Sequence, residues 1–192
     1  MNRRQYCALY EMRVKTDPDT GREKRESVYI GPFYTLTVDQ RTRNAKGAAL
    51  CGLWALQLGL YVAYGFANAP GSRCFYVLPF FLFLLLPMIY AGMAAFRIVR
   101  MPQRFTEVAR EEGVERAGRC AVATIVLCAC HTVGEVVFLA LGGAGERLAV
   151  ELGCTAAVAV MGVCAGAALV LVRGLKPVEV QPGKKPKANR PR

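Results

Sequence analysis

Apolar residues fall in four long blocks along this chain, at 47–67, 74–96, 120–141 and 152–172. Each is about 20 residues long, the length of helix that crosses a hydrocarbon layer ~30 Å thick. A soluble domain scatters its apolar positions at the period of a helix or a strand, but here they run together. The pattern predicts an all-α membrane protein, a bundle of four transmembrane helices joined up and down.

The third block breaks its own rule. Thr124, Cys128, His131 and Glu135 are spaced four, three and four apart, so on a helix they form one stripe. His131 is the single histidine of the chain, and Glu135 is the one charge within the four blocks. The first block carries a second stripe, Trp54, Gln57, Tyr61 and Tyr64, at spacings of three, four and three. In an up-and-down bundle the first and third helices face each other across the core, so the two stripes are expected to meet there. A charge in the middle of a membrane helix costs ~3 kcal/mol or more, so Glu135 must be neutral, paired or hydrated.

The other two blocks are plainer. The second runs Phe80-Phe81-Leu82-Phe83-Leu84-Leu85-Leu86 without a polar atom, and Pro79 and Pro87 each remove a backbone donor that can kink it. The fourth is rich in Ala, Gly, Val and Cys, with Gly162 and Gly166 in the small-xxx-small spacing that lets helices approach closely in lipid.

Residues 1–46 alternate where they are apolar. Tyr6, Ala8, Tyr10, Met12 and Val14 read as a strand, Asp17-Pro18-Asp19-Thr20-Gly21 as a turn, and 26–30 as the returning strand that Gly31-Pro32 stops. A β-hairpin alone is marginal in water, so it is expected to lean on the membrane surface, the 97–119 loop or a partner. The aspartates do not make a calcium loop, because the glycine comes one position early and no glutamate closes it. Phe33, Tyr34, Leu36 and Val38, just before Arg41, Arg43 and Lys46, suit a segment at the headgroup level. In the 97–119 loop, residues 106–112 read as a helix start, with Gly113 weakening its continuation into the third block. After Arg173, four prolines among basic residues predict a disordered cationic tail over 174–192.

The net charge of +11 suggests nucleic acid until its distribution is read. Of the 25 Lys and Arg, all but Arg73 and Arg147 lie before the first block, between the second and third, or after the fourth. Excess positive charge marks the cytoplasmic side, which predicts a cell-membrane protein with both termini cytoplasmic, as an even number of spans requires. Attraction to anionic lipid headgroups at these basic segments follows, and no specific nucleic-acid partner is expected. The first apolar run begins too late and is too long for a secretory signal.

Of the eight cysteines, Cys74 and Cys154 alone map to the non-cytoplasmic ends of helices, and they start diagonal helices, too far apart to bond. Cys128-Ala129-Cys130-His131 lacks the two-residue gap of covalent haem attachment, and one histidine leaves ligands missing, so no metal and no cofactor is expected. No nucleophile with its base, phosphate loop or zinc-protease helix is present, and the chain is read as non-enzymatic.

Thr124, Cys128, His131 and Glu135, with Gln57 and Tyr61 opposite, form the candidate intramembrane polar site, and Gly162 and Gly166 the candidate packing pair. Three readings of that site compete. It fixes helix register through Glu135 bonded to His131 or a tyrosine, it binds a proton or solute in a small carrier, or it holds a metal or haem. The hairpin beside a compact bundle favours an accessory or regulatory subunit of a membrane complex, with a membrane-protein partner or a second copy of the chain. The alternative is a small proton-coupled or solute transporter built on the Glu135/His131 pair.

Overall fold

A computed structural model describes residues 9–16, 23–143 and 145–180. Among the described residues, four helices are long and apolar enough to cross a membrane. The first, α1, spans Gln40–Phe66, and α2 spans Leu78–Arg100. The third, α3, spans Glu107–Ala140 and passes through one wide π-type turn at Glu111–Glu115. The last, α4, spans Leu148–Arg173. Consecutive helices pack together and α4 closes the ring against α1, so α1 and α3 stand diagonally across the core.

The helices start and stop for local reasons. Pro79 falls in the first turn of α2, where a missing N–H costs nothing, so it starts the helix rather than kinking it. Pro87 alone sits in the helix interior. Thr106 caps α3 by accepting a bond from the Ala109 N–H at 3.4 Å, and Gly113 does not interrupt the helix. Ion pairs of Arg110 with Glu115, Arg116 with Glu112 and Arg97 with Glu112 line this first stretch and tie it to α2. At the end of α4, Lys46 donates to the Gly174 carbonyl at 2.9 Å, a cation placed on a helix C-terminus.

Among the described residues, two small sheets lie at the near end of the bundle, where α1 begins and α4 ends. Strands β1, Tyr10–Thr16, and β2, Glu23–Tyr29, pair antiparallel with Tyr10 opposite Tyr29, forming the two arms of a hairpin. Tyr6, Cys7, Ala8 and the turn residues 17–21 lie outside the described residues. The stretch expected at the headgroup level forms a strand. Phe33–Leu36, β3, is the centre of a three-stranded antiparallel sheet between β4, Arg104–Thr106, and β5, Pro177–Val180. Its apolar side packs Tyr34 and Leu36 with Met101 and Phe105. The expected disordered tail over 174–192 is corrected at its start, because Pro177–Val180 pairs with β3, while 181–192 lie outside the described residues. Short strands paired over such sequence distances leave no periodic mark of their own.

The core runs the length of the bundle in two parts. Near the sheets, Leu50, Ala94, Ile98, Ala117 and Val172 pack together. Toward the far end, Tyr64, Phe81, Leu84, Met88, Cys128, Val158 and Met161 do so. Gly162 stands against Cys128 on α3, whose Cβ is 3.4 Å from where a Gly162 Cβ would be, whereas Gly166 faces open space. Only the first glycine of the pair serves packing within the chain. Cys74 and Cys154 are free thiols.

Candidate functional site: a sealed polar cluster at the far end

The two stripes do not meet as one continuous line; they divide by depth. Gln57 donates to the Met161 carbonyl on α4 at 3.0 Å, and Trp54 donates to the Met88 carbonyl on α2 at 2.9 Å. Both therefore tie α1 to its neighbours rather than to α3. With Thr124 they line a narrow cavity of about 30 Å³ among alanines. That is room for about two water molecules and far below the ~300 Å³ of a small-molecule site. Tyr61 stacks on Phe81 with ring centroids 4.4 Å apart and makes no bond to Glu135.

One helical turn further out the arrangement changes. His131 and Glu135, both on α3, are fully buried. Across the core, the Tyr64 hydroxyl on α1 donates to Glu135 Oε1 at 2.9 Å. Tyr64 is held in turn by Phe81, at a centroid distance of 4.4 Å, and by a T-shaped contact with the His131 ring at 5.3 Å. His131 Nε2 stands 3.9 Å from Glu135 Oε1, beyond hydrogen-bonding distance, and neither ring nitrogen has a partner. Of the two alternative partners expected for Glu135, the tyrosine makes the bond and the histidine does not.

A second carboxylate joins the cluster. Glu151, in the first turn of α4, is as fully buried as Glu135, and its Oε1 accepts from the Gly71 N–H at 2.6 Å. Gly71 opens the short 3₁₀ turn Gly71–Arg73 between α1 and α2. A Cβ on Gly71 would lie 2.5 Å from Glu135 Oε2 and 3.0 Å from Glu151 Oε2, so both carboxyls crowd the same face of that glycine. These are also the two carboxyl oxygens left without a partner. Sequence reasoning missed Glu151 because it sits just outside the fourth apolar block, where a charge looks like a loop residue. Placed in the helix instead of before it, Glu151 follows His131 and Glu135 to the same end of the bundle.

Thr124 and Cys128 complete the α3 stripe and are buried, Thr124 in the narrow cavity and Cys128 in the core. Among the described residues no three His, Cys, Asp or Glu stand close enough to hold a metal ion. The cluster ties α1, the first turn, α3 and α4 together. Compared with known proteins, the chain matches no family model, no curated protein and no solved structure.

Proposed function

We propose that the chain is a non-enzymatic accessory or regulatory subunit of a membrane complex, in the cell membrane with both termini cytoplasmic. The orientation rests on the basic residues, which gather at the near end while Arg73 and Arg147 alone occupy the far turns. The observation that carries the subunit reading is the hairpin. Its base is tied down, since Tyr29 donates to the Pro32 carbonyl at 2.8 Å and accepts from the Glu107 N–H at 3.0 Å. Further along β1, Met12 and Val14 are exposed on one face of the strand, Met12 at 78%. An anchored hairpin that keeps two large apolar side chains in water is suited to receive a partner protein. Anionic lipid headgroups suit the recess of about 340 Å³ lined by Arg97 and Arg100 at the end of α2.

Purification in mild detergent tests this. The native chain is expected to bring down a stoichiometric membrane partner, and Met12→Glu with Val14→Glu to lose it at unchanged yield. Recovery of the native chain alone would remove the reading.

The carrier reading keeps one observation in its favour, the unpartnered nitrogens of His131 beside Glu135. Solute flux in liposomes that Glu135→Gln abolishes would establish it.

A further inference from the structure

Glu135 and Glu151 approach each other with no cation between them. Neither makes an ion pair with Lys or Arg among the described residues, and the Oε2 atoms of the two carboxyls converge on one point, 2.5 and 3.0 Å from where a Gly71 Cβ would be. Ionised carboxylates only accept hydrogen bonds, so two of them side by side leave their facing oxygens unsatisfied and repel. The atoms left unsatisfied are Glu135 Oε2 and Glu151 Oε2, and both point at Gly71. One proton satisfies both at once, donated by one carboxyl and accepted by the other. A second observation points the same way: His131, fully buried, aims an unpartnered Nε2 at Glu135 from 3.9 Å.

We propose that Glu135 and Glu151 form a single proton-binding site, holding one proton between their Oε2 atoms. His131 is the adjoining acceptor. The other oxygen of each carboxyl is already bonded in a way that suits a shared proton. Glu151 Oε1 takes the Gly71 N–H at the positive start of α4, and Glu135 Oε1 takes the Tyr64 hydroxyl. The remaining groups facing the pair are Cys154 on α4 and Tyr76 before α2, while α2 itself presents Phe81. Arg73 and Arg147, the nearest cations along the chain, are both engaged by Asn68. Loss of the proton would leave two buried negative charges pressed against the Gly71 turn, so occupancy of the site is coupled to how that turn closes the bundle. This inference stands whether the chain is a subunit or a carrier.

Infrared spectroscopy of the full-length chain in lipid nanodiscs tests it, through the C=O stretch of a protonated carboxyl followed against pH. The native protein is expected to show this band at neutral pH. Glu135→Gln and Glu151→Gln are each expected to lower its midpoint by about one pH unit or more, a tenfold loss of proton affinity. Each removes the like-charged neighbour and leaves an amide that can bond the remaining carboxylate. Absence of the band in the native protein would overturn the proposal, as would midpoints unchanged in both variants. Disappearance of the band on adding sodium chloride at constant pH would overturn it in favour of a cation. Should the Gln variants fail to fold, Tyr64→Phe carries the test: loss of its donor should move the midpoint up, and an unchanged or lower midpoint would refute the shared proton.

Discussion

The Tyr64 hydroxyl and Glu135 Oε1 are 2.9 Å apart across the diagonal of the bundle, the hydrogen bond that joins α1 to α3. Both residues are buried, and so their bond has no water to replace it. Glu135→Gln keeps an acceptor oxygen for Tyr64 and is expected to fold and express normally. Glu135→Leu leaves the hydroxyl buried without a partner and should cost about 1–3 kcal/mol. Thermal unfolding in detergent measures both. Equal melting temperatures for the Gln and Leu variants would show that the bond contributes nothing to stability.

The Gly71 turn should be sensitive to the smallest added side chain. A methyl group in place of a Gly71 Cα hydrogen would stand 2.5 Å from Glu135 Oε2 and 3.0 Å from Glu151 Oε2, too close for either to tolerate in place. Carboxyls on the surface would swing aside, but these two are hemmed in by Tyr64 and by the Gly71 N–H itself. Gly71→Ala is therefore expected to destabilise the bundle by about 1–3 kcal/mol. Adding Glu151→Ala should recover part of this loss, because it vacates one of the two crowded positions. A double variant that is less stable than both singles would contradict the crowding argument.

How much of this the sequence discloses depends on the distance over which each feature is encoded. Membrane helices are written locally, in runs of apolar residues, and the four spans are legible for that reason. The α3 stripe is legible too, since a polar residue in such a run stands out. What its residues bind is not, because depth and rotation decide it. Gln57 and Tyr61 lie on the face opposite α3 by sequence spacing, yet Gln57 reaches α4 and Tyr61 stacks on α2. Tyr64, easily mistaken for an interfacial aromatic, is the one that crosses. Glu151 and Gly71 are invisible for a further reason: each sits at a helix boundary, the least certain position in any reading of a chain. The three-stranded sheet draws on residues 33, 105 and 178, a pairing of segments that no local window contains.

Alkaline pH should loosen the near end before the bundle. Burial pushes the Tyr29 and Tyr34 phenols above their ordinary value of 10.0; for Tyr29 the Glu107 N–H opposes this, and for Tyr34 the Arg110 guanidinium does. A phenol raised in the folded state favours folding in its neutral form. That contribution is complete below the ordinary value and is lost as pH rises through the raised one. Tyrosinate absorbance should accordingly show a late-titrating component that Tyr29→Phe and Tyr34→Phe each reduce. If both variants titrate like the native protein, these two phenols are not held by the fold.

Trp54 offers the cleanest test of how closely α1 and α2 are fitted. Its indole Nε1 donates to the Met88 carbonyl at 2.9 Å, and a Cβ on Gly92 would stand 2.5 Å from the ring. The glycine is what lets the ring come so close to α2, where it makes a T-shaped contact with Phe96 at 5.8 Å. Gly92→Ala should push the ring off the helix, break the bond to Met88 and cost about 1–3 kcal/mol. Helix propensity alone predicts the opposite sign, since alanine in a helix interior is favoured over glycine by about 1 kcal/mol. The chain has a single tryptophan, so its fluorescence reports on this contact without interference. Gly92→Ala is expected to lower the melting temperature and shift that emission. Trp54→Phe, which gives up the same bond but makes room, should make Gly92→Ala nearly neutral when the two are combined. A melting temperature raised by Gly92→Ala in the native background would mean that propensity wins and that the ring is not held against the helix.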